Sequence, residues 1–438
     1  MKNFHLTMIA PKVERVFAKA SSGAVGNVFK GMATLAIGSS VAKLIGIASI
    51  PILTRIYSPE DFGVLSVFTA LVMMLYPVVT MRYVLAIPLP RYNGIAFNIL
   101  FLSVVIMVGN TAIISLLLWM FGDQVLPFFS MATLSSWWWL ISLGILAAAT
   151  FEILTLWATR ERDYRIIAKT NIWQSVVSTA AKISLGLVLI NSGGLLIGQV
   201  ASYGVGVGSI FRRFQGSFNN NWRQLSFSRI QKVAWRYLEF PIFRVPSQFL
   251  MVFATQSPLL FMAALYDASA TGQLSLALTA IGIPIQLFGH TVAKSFYAEA
   301  ASLGNKKPHE IRKMANSVVV RLAFFSIPPA LFLFFSAPYL FELFFGEKWE
   351  LAGEYTSILA IYLVFQFVQA PAAYIFYIFD GQKQLLYLSA QRALLLMACF
   401  GFSYVMGLAA EETIWMYSLV LSAHYILSIY YSLRFIPN

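Results

Sequence analysis

The chain has 438 residues, of which 59% are hydrophobic and 11% charged, and its formal net charge is +13. A soluble globular domain carries about 25% charged residues, so the composition excludes a soluble protein and indicates an integral membrane protein. The basic excess does not indicate a nucleic-acid partner, because multi-pass membrane proteins collect Lys and Arg on cytoplasmic loops.

Twelve apolar stretches are each long enough to cross a bilayer as a helix, which takes about 20 mostly apolar residues. We predict spans at residues 29–54, 62–88, 94–121, 135–158, 166–190, 194–212, 238–265, 270–296, 315–337, 354–379, 384–408 and 412–433. None has the period-2 alternation of a barrel strand, so the predicted fold class is an all-α polytopic membrane protein.

The spans divide the chain into four parts. These are a basic N-terminal segment at 1–28, an N-lobe with helices 1–6 at 29–212, an interlobe loop at 213–237 and a C-lobe with helices 7–12 at 238–438. Outside the spans, twenty-two basic residues lie on the side of both termini, and only Arg55 and Lys348 lie on the other side. Both termini and the interlobe loop are therefore predicted to be cytoplasmic.

The two halves of the chain resemble each other weakly. The segment SIPILTRIYSPEDFGVLSV aligns with QSPLLFMAALYDASATGQLSL, and each ends in Gly-X-Leu-Ser, at residues 63–66 and 272–275. The spans that follow carry mid-helix prolines at Pro77 and Pro284. Repeats of six spans with equal topology are typical of two-lobed transporters with a central cavity between the lobes.

Seven basic side chains fall inside the predicted spans, where the one clear acid is Glu152. The cations are Lys43, Arg82, Lys182, Arg244, Lys294, Arg321 and Arg392. Ionisable groups at membrane depth are costly, and by default they line a cavity or pair with one another. Because one carboxylate cannot neutralise seven cations, the pattern predicts a cationic cavity for an anionic substrate such as a phosphate or pyrophosphate.

Helical spacing indicates which cations face the cavity and which reach the headgroups by snorkelling. Lys182 shares one polar helix face with Asn171, Ser175, Ser178 and Gly186, so we predict that this face is turned away from lipid.

The other cations differ in their surroundings along the helix. Lys43 lies among small residues and is also predicted to face inward, and Arg244 shares a face with Gln248 and Thr255. Snorkelling is favoured for Arg321 and is evenly balanced against cavity exposure for Arg82 and Lys294, while the spacing leaves Arg392 undecided.

Glu152 is open to two interpretations: a salt-bridge partner of a lumen cation, which we favour, or a proton-coupling carboxylate. The chain has no Gly-rich phosphate-binding loop, so ATP hydrolysis is not expected. Its single cysteine, Cys399, excludes a Cys-rich metal site, and neither a cofactor nor a metal is expected. Energy would then come from an ion gradient of H⁺ or Na⁺, the membrane potential or downstream consumption of the substrate.

Longer segments carry a family resemblance. They are IPILTRIYSPEDFGVLSVF from Ile50, MRYVLAIPLPR from Met81, WATRERDYRIIAKTN from Trp157 and the stretch that begins FPIFRVPSQ at Phe240. In these segments the chain resembles the Wzx-type O-antigen flippases of the polysaccharide transport family. That family belongs to the MOP superfamily, together with the MATE drug exporters and the lipid II flippases.

The resemblance implies two six-helix lobes in a V shape, working by alternating access in the bacterial inner membrane. It implies a cavity lined by spans 1, 2, 7 and 8, which favours Lys43, Arg82, Arg244 and Lys294 as lumen cations. The implied substrate is a lipopolysaccharide-type repeat unit on an undecaprenyl pyrophosphate carrier, with membrane lipids and polysaccharide polymerase machinery as further partners.

Two other functions compete with a flippase. A MATE-like antiporter for cationic drugs would need acids in its cavity, and the spans offer mainly Glu152. A membrane glycan polymerase, which would be an enzyme, usually has a sizeable external loop with catalytic carboxylates or arginines. The longest predicted loop here is cytoplasmic, so we expect a protein that is not an enzyme.

Overall fold

The computed structural model describes residues 23–129, 132–188, 191–304 and 307–437, so most of the predicted N-terminal segment lies outside it. Within these ranges the chain is helical and has no strand, which confirms the all-α class. The first half holds α1 (Gly23–Ile56), α2 (Pro59–Val79), α3 (Asn93–Val125), a short helix Ala132–Ser135, α4 (Trp138–Arg160), α5 (Tyr164–Leu187), α6 (Asn191–Gly204), α7 (Val207–Trp222) and α8 (Phe227–Arg236). The second half holds α9 (Val245–Leu265), α10 (Ala268–Pro284), α11 (His290–Leu303), α12 (Pro308–Phe345), α13 (Glu350–Ala372), α14 (Tyr374–Ile378), α15 (Gln382–Met406) and α16 (Ala410–Arg434).

Ten helical segments of the described chain are long and apolar enough to cross a membrane. The two predicted spans outside this set, 166–190 and 270–296, are nevertheless helical, as α5 and as α10 continued by α11. Polar residues make α5 less apolar, and a break after Pro284 divides the other span. The chain is therefore a multi-pass membrane protein, and its full count of twelve spans stays a prediction.

Prolines interrupt three of the predicted spans. Proline removes a backbone donor and clashes with the preceding turn, so a helix bends or ends near it. Pro77 is followed by the end of α2 at Val79, and Pro284 by the π-helical turn Ile285–Gly289. A second π-helical turn, Phe240–Arg244, contains Pro241 and leads into α9. Such turns are common at functional sites and mark places where a helix can bend.

Each half of the chain has its own apolar core. In the N-terminal half, buried side chains of α2, α3, α4 and α7 pack together, with Phe68 and Trp157 fully enclosed. In the C-terminal half, α9, α10, α13, α15 and α16 surround Leu274 and Leu359. The first core also takes in Leu260 and Ala263 of α9, so the two cores adjoin at that helix.

The lobes are joined at the end of the bundle where α1 leads into α2, α9 into α10 and α12 into α13; we call this the Tyr57 end. They also touch along α2 and α9, and towards the other end Tyr83–Ala86 lies against Phe240–Arg244. A third apolar cluster joins residues of both lobes there: Leu53, Tyr57, Phe62, Leu195, Leu276, Ala337, Phe341, Trp349 and Ala352. Trp349 is fully buried, donates its indole N–H to the carbonyl oxygen of Thr54 at 3.0 Å and packs edge-on against Phe62 at 4.9 Å. A C-lobe side chain thus caps the last turn of an N-lobe helix.

The aligned Gly-X-Leu-Ser segments meet across this interface. A Cβ on Gly63 would overlap the carbonyl oxygen of Ala268, and a Cβ on Gly272 would overlap that of Pro59. The two contacts are reciprocal, since Pro59 and Ala268 each lie four residues before the glycine of their own repeat. Such reciprocity is the geometry of a two-fold axis, and it supports the internal duplication inferred from the sequence.

The interlobe segment 213–237 differs from the predicted loop, because most of it is helical. Residues 213–222 continue α7, and α8 is an amphipathic helix whose Val233 is buried against the N-lobe. Asn98 accepts a hydrogen bond from the Ser226 backbone and donates one to Gln224, which holds the turn between α7 and α8 on α3. The connection between the lobes therefore folds onto the N-lobe.

Candidate functional site

A cavity of about 550 Å³ begins next to the apolar cluster of the Tyr57 end. Its residues come from both lobes: Ser39, Ala42, Lys43, Gly46, Ser49, Ile50, Leu53, Phe62, Leu65, Asn171, Gln174, Ser175, Ser178, Thr179, Lys182, Gln199, Ser202, Ser275, Leu276 and Thr279. Leu53, Phe62 and Leu276 belong to the apolar cluster too, so they close the cavity at that end. From Ser39 to Leu53, α1 follows the cavity for roughly 20 Å.

The N-lobe wall is built by α1 and α5 packed along each other. Ser175 donates to the carbonyl oxygen of Ala42 at 2.7 Å, and the Asn171 amide donates to Ser39 at 3.2 Å. Small residues on α1 allow this close approach, which membrane helices commonly use. The polar face predicted on α5 therefore lies on the wall through Asn171, Ser175, Ser178 and Lys182.

Lys182 is held near the closed end of the cavity. Its ammonium group donates to the side-chain oxygen of Gln199 at 2.7 Å, and its backbone carbonyl accepts a hydrogen bond from the Tyr57 hydroxyl at 2.7 Å. Burial, together with the nearby Asp61, raises the pKa of Tyr57 to about 12, so this hydroxyl stays protonated and keeps donating.

Lys43 lies further from the closed end, at the level of Ser175. Seven residues separate Ser175 from Lys182, so the two lysines are about 10 Å apart along the axis of the bundle. Lys43 is exposed to the cavity and makes no ion pair in the described part of the chain. The two ammonium groups thus lie one beyond the other along the N-lobe wall formed by α1 and α5.

The described charged side chains that line this cavity are all positive. Among its described lining residues, two are lysines, none is acidic, and most of the others carry hydroxyl or amide groups. An ammonium group in a water-poor site attracts anions more strongly than it does in bulk water. Hydroxyl and amide groups both donate and accept hydrogen bonds, which suits the hydroxyls of a sugar.

Arg82 and Glu152 lie in the N-lobe core and pair with each other. The Arg82 guanidinium donates to Glu152 Oε1 at 2.9 Å, and Arg82 is 8% exposed. Arg82 follows the end of α2 with a left-handed backbone, φ 55°, which a non-glycine residue rarely adopts. The structure thus brings together one predicted cation and the predicted acid, away from the residues that line the cavity.

The remaining predicted cations also lie off the described cavity lining. Arg244 ends the π-helical turn before α9 and is exposed, and Lys294 on α11 and Arg321 on α12 are exposed as well. Arg392 lies within the C-lobe against the ring of Tyr425. Of the candidates for substrate binding, only Lys43 and Lys182 line this cavity in the described part of the chain.

Several lining residues were not singled out from the sequence. Gln199 and Ser202 come from α6, and Ser275 and Thr279 from α10. Ser275 and Thr279 are four residues apart, the spacing of one helix face, so the same test that found the stripe on α5 could have found them. Gln199 had no such pattern, because its role comes from Lys182 on another helix.

Together, the two lobes and the basic cavity define a multi-pass helical membrane protein of the two-lobed transporter fold. The chain belongs to the family described as "Polysaccharide biosynthesis protein", whose model matches residues 52–354. This agrees at family level with the resemblance found in the sequence. No curated protein matches the chain.

Several solved structures are similar to this chain. One is "Lipid II flippase MurJ, inward closed conformation", with a TM-score of 0.71, 13% identity and coverage of 91% of this chain and 87% of that chain. Another is an inward-facing "multidrug resistance MATE family transporter of the MOP superfamily", with a TM-score of 0.62, 13% identity and coverage of 92% and 97%. A MATE protein "in the bent conformation" has a TM-score of 0.54, 14% identity and coverage of 95% and 96%. At such identities the likeness shows the fold alone.

Proposed function

We propose that this protein is a flippase for lipid-linked oligosaccharide, and that it works by alternating access. The substrate would be an O-antigen or related surface polysaccharide repeat unit on undecaprenyl pyrophosphate, carried from the cytoplasmic to the periplasmic leaflet of a bacterial inner membrane. In this proposal the chain has twelve spans with both termini cytoplasmic, so the Tyr57 end is the periplasmic end. Membership of a polysaccharide biosynthesis family supports the glycan part of the proposal.

The observation that carries the proposal is the composition of the cavity wall. Lys43 and Lys182 supply positive charge for a pyrophosphate, and the surrounding hydroxyl and amide groups supply hydrogen bonds for sugars. A cavity for cationic drugs would need negative charge, and none of its described lining residues is acidic. A lipid-linked anion is therefore favoured over an exported cation.

The test is to replace each lysine of the wall. In cells that depend on this protein for surface glycan, Lys43→Ala or Lys182→Ala should reduce glycan assembly sharply. Losing a hydrogen bond to a charged group costs about 1.5–3 kcal/mol, or roughly tenfold to a hundredfold in substrate affinity. Immunoblots of membranes would show whether the protein level is unchanged.

Arg321→Ala is the matched control, because Arg321 is a cation within a predicted span but is exposed and lies off the cavity. It should leave glycan assembly as in the wild type. Normal surface glycan in both lysine variants, at normal protein levels, would rule out the cavity as the pyrophosphate site.

We also propose that transport is coupled to an ion gradient, with H⁺ as the ion and Glu152 as its site. Arg82 holds Oε1 of Glu152, while Oε2 is buried with no hydrogen-bond partner in the described structure. A single carboxylate beside an arginine is a poor Na⁺ site, because the arginine repels a second cation, but it can accept a proton.

A further inference from the structure

The C-lobe core holds a cation that no acid balances. Arg392 lies on α15, about 15 Å from the start of this 25-residue helix, and therefore deep within the span. In the described part of the chain it forms no salt bridge. Its Nε atom is fully buried and has no hydrogen-bond partner. An arginine at this depth normally has a counter-charge, because an unpaired cation in the membrane is costly.

Aromatic side chains from two other helices surround Arg392. Its Cζ atom lies 5.8 Å from the ring centre of Tyr425 on α16. Tyr362 on α13 stacks against Tyr425 at 6.2 Å and lies 6.0 Å from Tyr417, measured between ring centres. His424 lies 5.5 Å from the ring of Tyr425. We call these five residues the Arg392 cluster.

Several buried polar atoms of this region lack a partner at the same time. Besides Arg392 Nε, they are the Tyr425 hydroxyl and the Nδ1 atom of His424. Buried polar groups are nearly always hydrogen-bonded, because each one left without a partner costs about 1–3 kcal/mol. Three such atoms within the cluster, one of them on an unbalanced cation, make it a candidate site for a small polar or charged ligand.

We propose that the Arg392 cluster binds a small inorganic anion such as chloride. The net charge of the site favours an anion, since Arg392 brings a positive charge and no acid belongs to the cluster. Tyrosine hydroxyls and a guanidinium group are hydrogen-bond donors, and donors are what a halide needs.

The cluster is distinct from the site of the proposed function. None of its residues lines the 550 Å³ cavity, whose C-lobe wall comes from α10. An anion here would neutralise Arg392 and hold α13, α15 and α16 together, which would strengthen the C-lobe as a rigid unit. The same charge disfavours Na⁺ in this core, because the guanidinium would repel it.

Thermal unfolding of the full-length protein in a defined detergent tests this proposal. Chloride should raise the unfolding midpoint relative to gluconate at equal ionic strength, by roughly 2–4 °C at ten times the dissociation constant. Arg392→Gln should abolish the shift, and Arg321→Gln, which removes an exposed cation from another span, should keep it. Equal midpoints in chloride and gluconate, or a full shift in Arg392→Gln, would overturn the proposal.

A crystal grown in bromide gives a readout that does not depend on a variant folding. An anomalous peak beside Arg392 and Tyr425 is the expected result. Bromide only at Lys43 or Lys182, or only water beside Arg392, would overturn the anion site. Either of these results would leave the flippase proposal standing, because that proposal depends on the lysines of the cavity.

Discussion

The two carboxylate oxygens of Glu152 have different surroundings, so protonation of this group would change the interactions that hold the N-lobe core. Oε1 accepts from Arg82 at 2.9 Å, and Oε2 is buried without a partner. Protonating the carboxylate would remove its attraction for Arg82 and leave a buried cation unpaired, which is strongly unfavourable. In the proposed proton coupling, this pair would link proton uptake to the turn that ends α2.

Glu152→Gln tests this coupling. The amide keeps a hydrogen bond to Arg82 but cannot take up a proton, so transport should continue and lose its dependence on a transmembrane pH gradient. The measurement is flipping of a fluorescent lipid-linked glycan in proteoliposomes with and without an imposed gradient. Glu161→Gln, an exposed acid just after α4, is the control and should respond to the gradient like the wild type.

At the residue level, the sequence predicts a polar face that repeats along one helix. It does not predict contacts between side chains of two helices. The stripe of Asn171, Ser175, Ser178 and Lys182 repeats with the helical period, and the structure places all four on the cavity wall. The partner of Arg82 lies 70 residues away along the chain, and no local pattern marks it. For the same reason Lys182 could be placed from sequence, whereas its contact with Gln199 could not.

At the scale of elements, the crossing of α2 and α10 is the tightest described contact between the lobes. Gly63 and Gly272 bring the two backbones together, and neither position has room for a Cβ. Gly63→Ala should therefore force the helices apart and weaken closure of the Tyr57 end. We expect a lower midpoint of thermal unfolding, by the several degrees that a loss of about 1–3 kcal/mol produces.

Gly109→Ala on α3 is the matched control, since a Cβ there would meet nothing within 4 Å. Alanine is a better helix former than glycine, so this variant should be unchanged or slightly more stable. If Gly63→Ala had the same midpoint as Gly109→Ala, the α2–α10 crossing would not contribute to stability.

The elements that differ most from a simple apolar span are those that line the cavity. α5 carries a polar face, and α10 ends at Pro284 before a π-helical turn. Because of these features α5 is less apolar and α10 is shorter than an ordinary span, yet both lie within the apolar stretches predicted as spans 166–190 and 270–296. A helix that faces water on one side carries polar residues there, so its mean apolarity is lower than that of a span surrounded by apolar groups.

At the scale of the whole molecule, the apolar cluster closes one end of the cavity. Trp349 and this cluster join the lobes at the Tyr57 end, and further along the cavity Ser39 and Ala42 of α1 are hydrogen-bonded to α5 of their own lobe. If the Tyr57 end is periplasmic, this arrangement is an inward-facing one. Both the topology and the conformation can then be tested with one labelling experiment.

In a Cys399→Ser background, single cysteines at Ser175 and Thr279 report on the two walls of the cavity. A membrane-impermeant maleimide should label them in inside-out vesicles and not in right-side-out ones. Ser228→Cys on α8 should label with the same sidedness, and Glu411→Cys should label with the opposite one, because Tyr266 at the Tyr57 end hydrogen-bonds to the neighbouring Leu408. Labelling of the cavity cysteines together with Glu411→Cys would place the opening on the periplasmic side and contradict the inward-facing arrangement. Equal labelling of Ser228→Cys and Glu411→Cys from one side would contradict the topology itself.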